Sequence, residues 1–194
     1  QQGPATRAPL APGARSKPNV ILIVADDLGI NDLTFYGGGV AGGRVPTPHI
    51  DSLGRDGVAF TAGYAGNATC APSRAAMMTG RYPTRFGFEL TPVPVAFARN
   101  IATFDYDLFP PIYHADREDG MIPMPDMGVP TSEITIAQTL QGAGYRTIHL
   151  GKWHLGEREH FRPERRGFDE SLGFYSGASL FGFEDDPNIV NSKQ

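Results

Sequence analysis

From Asn19 to Ala25 the chain runs through five consecutive aliphatic residues, Val20-Ile21-Leu22-Ile23-Val24, and then meets Asp26-Asp27. No polar residue interrupts the run at a period of two, so it reads as a strand buried on both faces rather than one facing water. Such strands belong to parallel sheets covered by helices, and the rest of the chain supplies the alternation which that architecture needs. Thr47-Pro48-His49-Ile50-Asp51-Ser52-Leu53 starts a helix, with Thr47 as N-cap and Pro48 at the first helical position. Val58 to Tyr64 reads as a second strand, followed by a short helix near Cys70 that stops at Gly80. Ser132 to Gln141 carries Ile134, Ala137 and Leu140 at roughly helical spacing, with Gly142 or Gly144 to end it, and Tyr145 to Leu150 is the next strand. The expected class is α/β: a mixed or parallel sheet flanked by helices, with ligands bound beyond the carboxyl ends of the strands.

Composition narrows the partners. A net charge of −4 gives no reason to expect nucleic acid or an anionic membrane surface. The aliphatic run ending at Ala25 is far shorter than the roughly 20 apolar residues of a membrane span. The 194 residues suffice for a substantial core in one or two domains. Residues 1–18, rich in Pro, Ala and Gly, read as a disordered lead-in, and 19–194 as one folded part. The chain opens on Gln1, which reads as a mature N-terminus, and a single cysteine is compatible with an exported, periplasmic or secreted protein.

That cysteine lies in Cys70-Ala71-Pro72-Ser73-Arg74, followed by Ala75-Ala76-Met77-Met78-Thr79-Gly80-Arg81. With no second cysteine, neither a disulfide framework nor a multi-cysteine metal cluster explains it. Pro72 pushes Ala71 toward an extended conformation, and the Ala and Met residues after it are good helix formers. Cys70 therefore sits just before or in the first turn of a helix, where free N–H groups and the dipole favour an anion. Arg74 lies on the same helical face. A lone cysteine in such a place is a small buried hydrophobe or a reactive group.

Cys-x-Pro-Ser-Arg-x-x-x-x-Thr-Gly-Arg resembles the signature of the type I sulfatases, members of the alkaline-phosphatase-like superfamily. The resemblance implies that Cys70 is the precursor of formylglycine, made by a formylglycine-generating enzyme, and that the hydrated aldehyde is the nucleophile. Two further segments carry the same likeness. Asp26 and Asp27 end the first expected strand; adjacent carboxylates at about 4 Å repel by about 4 kcal/mol at an effective dielectric near 20, so they suit either solvent or a cation. Read alone, the pair is a solvated acidic turn or a site for a hard divalent ion. Set in Val20 to Gly29, it resembles the family's opening metal-binding segment, which implies calcium, or alternatively magnesium, held by Asp26, Asp27 and the modified Cys70.

Gly151-Lys152-Trp153-His154-Leu155-Gly156 is the third segment. If extended, it puts Lys152 and His154 on one face and Trp153 on the other, a cation and an imidazole suited to an anionic substrate. The resemblance implies that Lys152 contacts the sulfate, that His154 bonds the hydrate and later takes a proton from it, and that Arg74 fixes the hydrate and nearby carboxylates. Arg81 is expected to support the site from behind, and Arg166-Gly167-Phe168-Asp169 with Gly173-Phe174 to be structural. The implied reaction is hydrolysis of an aryl or carbohydrate sulfate monoester. A phosphonate or phosphate ester hydrolase of the same superfamily and an inactive fragment are the alternatives.

The remaining residues are read more plainly. His49 stands where the family more often has Asn and is expected on a helix surface. His149 is expected to pack beside the sheet; His114 and His160 have no partner spacing. Asp185-Asp186 reads as a solvated loop, and Asn67-Ala68-Thr69 is a sequon beside the cysteine. Between Thr91 and Pro130, a Pro-rich irregular stretch is the natural place for a lid, with Phe97, Phe104, Tyr106, Phe109 and Tyr113 expected mainly to pack it down. The family's remaining metal ligands, a later His and a later Lys have no counterpart before Gln194, so the chain reads as a fragment or a piece of a processed enzyme.

Overall fold

The computed structural model describes residues 17–104 and 109–179. The lead-in over 1–16, Tyr106 and Asp185-Asp186 lie outside the described residues. The chain divides into two compact units, Gln1–Gly57 and Val58–Gln194.

In the first unit the expected helix forms over Pro48–Asp56, with Thr47 as N-cap and Pro48 at its start. Its anchor is Asp51, which is 7 % exposed. The carboxylate accepts from Thr34 Oγ1 at 2.6 Å, Thr47 Oγ1 at 2.7 Å and the Phe35 amide at 3.0 Å, so a buried charge is fully hydrogen-bonded. Gly54 faces the Phe35 ring so closely that a Cβ there would stand 2.6 Å from it, which fixes the residue as glycine. The expected first strand does not form: residues 19–25 are irregular, and Ile21 is 84 % exposed. A strand exists through hydrogen bonds to a neighbour, and among the described residues of this unit no strand pairs with the run.

The second unit holds the described sheet, two parallel strands, β1 (Ile148–Lys152) and β2 (Glu170–Phe174), in register Ile148 to Glu170 through Lys152 to Phe174. β1 starts three residues later than the spacing predicts, and β2 falls in a segment with no strand pattern of its own. Residues 58–64, expected as a strand, are irregular and turn at 61–62, with Val58, Phe60 and Tyr64 exposed. The helix at the cysteine spans Cys70–Thr79 and ends at Gly80, whose φ of 66° is the left-handed stop expected of it. Ala71 and Ala75, fully buried, pack with Phe88, Val129, Trp153 and Leu155 to form the core of the unit. Within the Pro-rich stretch a helix spans Val95–Ile101, which the sequence pattern did not predict.

The helix before β1 spans Ile136–Gly142, four residues later than expected at its start, because Thr135 provides the cap. Its Oγ1 accepts from the Gln138 amide while the Gln138 side chain accepts from the Thr135 amide, a reciprocal capping box. The same hydroxyl donates to the Arg166 carbonyl at 2.6 Å. Arg166, 3 % exposed, in turn donates to the carbonyls of Val129, Pro130 and Glu133. Thr147 donates to the Gly167 carbonyl, and Asp169 accepts from the Thr147 amide and Gln141 Nε2. Arg166 to Asp169 thus staples the capped helix to β1 and leads directly into β2, the structural role expected of it. Among the described residues no helix is long and apolar enough to cross a membrane.

Candidate active site

Cys70 is the first residue of its helix and is half-buried. The chain enters through an Asx turn: Asn67 Oδ1 accepts from the Thr69 amide and hydroxyl at 3.0 and 3.2 Å. Asn67 Nδ2 donates to the Glu89 carbonyl at 3.4 Å, so the sequon nitrogen has a backbone partner. Ala71, Pro72 and Ala75 bury the opposite face of the helix. Cys70 is therefore held at the dipole's positive end by packing behind it.

Arg74 ties this helix to the third sequence segment. Its Nε donates to the Trp153 carbonyl at 3.0 Å and its Nη2 to the Lys152 carbonyl. Residues 70–74 and 152–154, some eighty positions apart, are thus joined directly, and two of the five guanidinium donors hold backbone. Beyond β1 the chain continues alongside β2: the Trp153 amide donates to Phe174 O at 2.9 Å and the His154 amide to Tyr175 O at 3.0 Å. Trp153 is 2 % exposed and donates Nε1–H to the Phe161 carbonyl at 2.9 Å. His154 departs from extended geometry with φ of 60°, so the simple two-residue alternation expected of this segment ends there. Its imidazole is 7 % exposed and lies against Gly177, where a Cβ would come within 2.6 Å of the ring. Gly177 is a site neighbour that sequence reasoning missed, for lack of any local pattern.

His149 has a larger place than packing beside the sheet. It sits on β1 with Nδ1 3.2 Å from Ser171 Oγ on β2 and Nε2 3.3 Å from the Lys152 carbonyl. A carbonyl only accepts, so Nε2 carries the proton and Nδ1 takes the serine hydroxyl's. Trp153 and Phe168 stand edge-on to the ring at 5.3 and 5.4 Å. Burial holds the imidazole below the ordinary histidine value; the Lys152 carbonyl pulls the other way, and the charge of Arg74 adds to the lowering.

Arg81 follows the cysteine helix and donates Nη1 to both oxygens of Glu133 at 2.7 and 2.6 Å, tying that helix to the turn before the Thr135 cap. His49 is exposed on its helix, His114 faces Asp116 at 3.9 Å, and the His160 ring lies tilted against Phe161. In the Pro-rich stretch Phe97, Phe104 and Phe109 are each more than half exposed, less covered than expected of them, while Tyr113 donates to Glu118 at 2.8 Å.

Asp26 and Asp27 form an exposed turn, Asp27 with φ of 56°. Among the described residues no three His, Cys, Asp or Glu side chains gather to hold a metal ion. Two carboxylates match a hard cation in kind but not in number, since such ions take about six to eight oxygens.

A cysteine at a helix start is thus cross-tied to a Lys-Trp-His segment at the end of a parallel strand, in an α/β arrangement. The sequence model of the Sulfatase family matches residues 18–191, and the chain belongs to the sulfatase family. It is 39% identical over 165 residues to the N-acetylgalactosamine-6-sulfatase of Rattus norvegicus, covering 84% of this chain and 26% of that protein. To the steryl-sulfatase of Mus musculus it is 40% identical over 172 residues, covering 86% and 23%. The crystal structure of PsFucS1 sulfatase from Pseudoalteromonas sp. superposes with a TM-score of 0.56 at 34% identity, over 83% of this chain and 26% of that one. The chain thus spans about a quarter of the length of the relatives it matches.

Proposed function

We propose that this chain is the N-terminal segment of a sulfuric ester hydrolase, with Cys70 as the precursor of its nucleophile. The observation that carries the reading is the cross-tie from Arg74 to the carbonyls of Lys152 and Trp153, which sets the cysteine helix and the Lys-Trp-His segment as one assembly. Formylglycine at 70 would supply a hydrated aldehyde oxygen as nucleophile. Cys70 presents that position at a helix start, where developing negative charge is favoured. Lys152 offsets the charge of the sulfate oxygens. His154, buried and positioned by Tyr175 O and Gly177, serves as the proton acceptor that releases the product. Asp26 and Asp27 would supply two of the oxygen ligands of a hard divalent cation, calcium first and magnesium second.

The substrate is an aryl or carbohydrate sulfate, and the exported location (periplasmic or secreted) suits a chain with one cysteine to be matured by a formylglycine-generating enzyme. Mass spectrometry of the tryptic peptide 56–74 from the intact protein tests the first step. The expected result is an aldehyde in place of the thiol at 70, with turnover of an aryl sulfate far above that of the matching aryl phosphonate. An unmodified thiol on a protein that cleaves neither ester overturns the reading, and preferential cleavage of the phosphonate moves it to the sibling hydrolases.

A further inference from the structure

Beyond β1 the backbone of the Lys-Trp-His segment takes an unusual path. His154 has φ of 60°, in the left-handed region, and Gly156 follows at 123°. A non-glycine residue stays in that region only where its surroundings hold it. The surroundings on both sides of His154 lead to one residue, Phe161. Its carbonyl accepts the Trp153 indole N–H at 2.9 Å, one position before His154. Its side chain lies on Gly156, two positions after, where an added Cβ would stand 2.5 Å from the Phe161 Cβ and 2.6 Å from its Cγ. The same ring lies on Gly128, where a Cβ would come within 2.5 Å of Cγ. Gly128 ends the Pro-rich stretch, and beside it the Val129 amide donates to the Leu155 carbonyl at 3.0 Å. Asp126 accepts from Arg158 Nε at 2.6 Å, which ties this stretch to the turn Glu159–Phe161 that carries the ring.

We infer that Phe161 is a positioning residue that sets His154 by bracing the residues on either side of it, with Gly128 as the floor for its ring. Only the kinetic arm of the inference rests on the sulfatase reading. The His154 amide is held by Tyr175 O at 3.0 Å, which fixes the segment on the β2 side. Phe161 fixes it on the other, through the indole before His154 and the glycine after it. The ring itself has no need to touch substrate. When it is displaced, the indole loses its acceptor and Gly156 its support, and the imidazole leaves the alignment that its proton transfer requires. A misplacement of about 1 Å at a reacting centre costs up to about a hundredfold. Because the transfer by His154 follows substrate binding, the loss falls on kcat and KM does not rise.

The test uses the intact protein with 15N tryptophan. Trp153 is the single tryptophan of this sequence, so its indole N–H reports the bond to Phe161 directly. In the wild-type protein that N–H is expected to exchange with solvent far more slowly than an exposed indole. Gly128→Ala is the sharpest variant. Gly128 is not among the glycines of positive φ, and the three atoms nearest an added Cβ all belong to the Phe161 ring. The expected result is a moved indole peak and a kcat for an aryl sulfate lowered about tenfold, with no rise in KM. Gly120→Ala is the control on the same stretch: no described atom lies within 4 Å of its Cβ, and neither readout should change.

Phe161→Leu keeps an apolar side chain and loses the flat ring; it should move the same peak and lower kcat in the same way. Phe161→Ala removes the atoms that an alanine at 128 would strike, so the two changes together should cost less than their sum. A wild-type indole N–H that exchanges as fast as an exposed one overturns the inference, whether or not the variants fold. So does a Gly128→Ala protein with unchanged peak and turnover, or one whose turnover falls only in step with its folded fraction. A protein that cleaves no sulfate ester, but whose indole peak moves in Gly128→Ala and not in Gly120→Ala, overturns the sulfatase reading and leaves the brace standing.

Discussion

Among the described residues of the first unit, Asp51 is buried while no large hydrophobic side chain is. It lies on a helix whose apolar Ile50 and Leu53 are exposed, and it is bonded by two threonine hydroxyls and a backbone amide from another segment. Those bonds hold its carboxyl below the usual aspartate range, the Thr34 hydroxyl first and the Thr47 hydroxyl second. A carboxylate whose folded value is depressed contributes stability that is present above its unfolded value and is lost as pH falls through the folded one. Urea unfolding of the chain should therefore show a midpoint that falls on acidification below about pH 4, the ordinary aspartate range. Asp51→Asn keeps the shape and removes the charge. Its midpoint should be lower at neutral pH and less sensitive to acid; a variant with the wild-type acid slope would assign that slope to other carboxylates.

At the scale of elements, the decisive piece is the short stretch from Arg166 to Asp169, which has no regular structure and yet connects a helix, a loop and both strands. Arg166 is buried with three carbonyls as partners, and burial lowers its pKa while the Glu133 carboxylate opposes the shift. Arg166→Ala would leave Val129 O, Pro130 O and Glu133 O to find other donors. A loss of about 3 kcal/mol is expected from denaturant titration, the size seen when a buried charged group with several hydrogen bonds is removed. A loss under about 1 kcal/mol would mean that water replaces the guanidinium without cost. Because the same stretch positions β2, and β2 receives the amides of Trp153 and His154 through Phe174 and Tyr175, its loss should reach the active segment as well as stability.

At the scale of the whole chain, each unit exposes an apolar segment, 19–25 in the first and 58–64 in the second. Ile21 and Ile23 are 84 % and 78 % exposed, and Val58 and Phe60 are 79 % and 80 % exposed. Exposed apolar segments of this kind mark places where further protein packs, or else drive association. The 194-residue chain by itself should bind a hydrophobic dye and self-associate with rising concentration, measured by fluorescence and sedimentation. Paired Ile21→Asp and Ile23→Asp changes should reduce both. A monomeric chain that leaves the dye dark would mean that these runs are already covered.

The sequence by itself determined what depends on neighbours along the chain. Thr47 with Pro48 started one helix, Cys70 opened another that Gly80 closed, and the fixed positions from Cys70 to Arg81 pointed to the family that the Sulfatase match assigns. Tertiary structure decided what depends on a partner far away. The aliphatic run at 19–25 was the strongest strand signal and forms no strand, whereas Glu170–Phe174, with little signal, pairs along all five positions with β1. Helix ends answer to caps within a few residues, but a strand is made by hydrogen bonds to another segment, and no local pattern names that segment. The same reason hid the Arg74 cross-tie, the place of His149 between Ser171 and Lys152, and the need for glycine at 177: each is a contact between residues that only folding brings together.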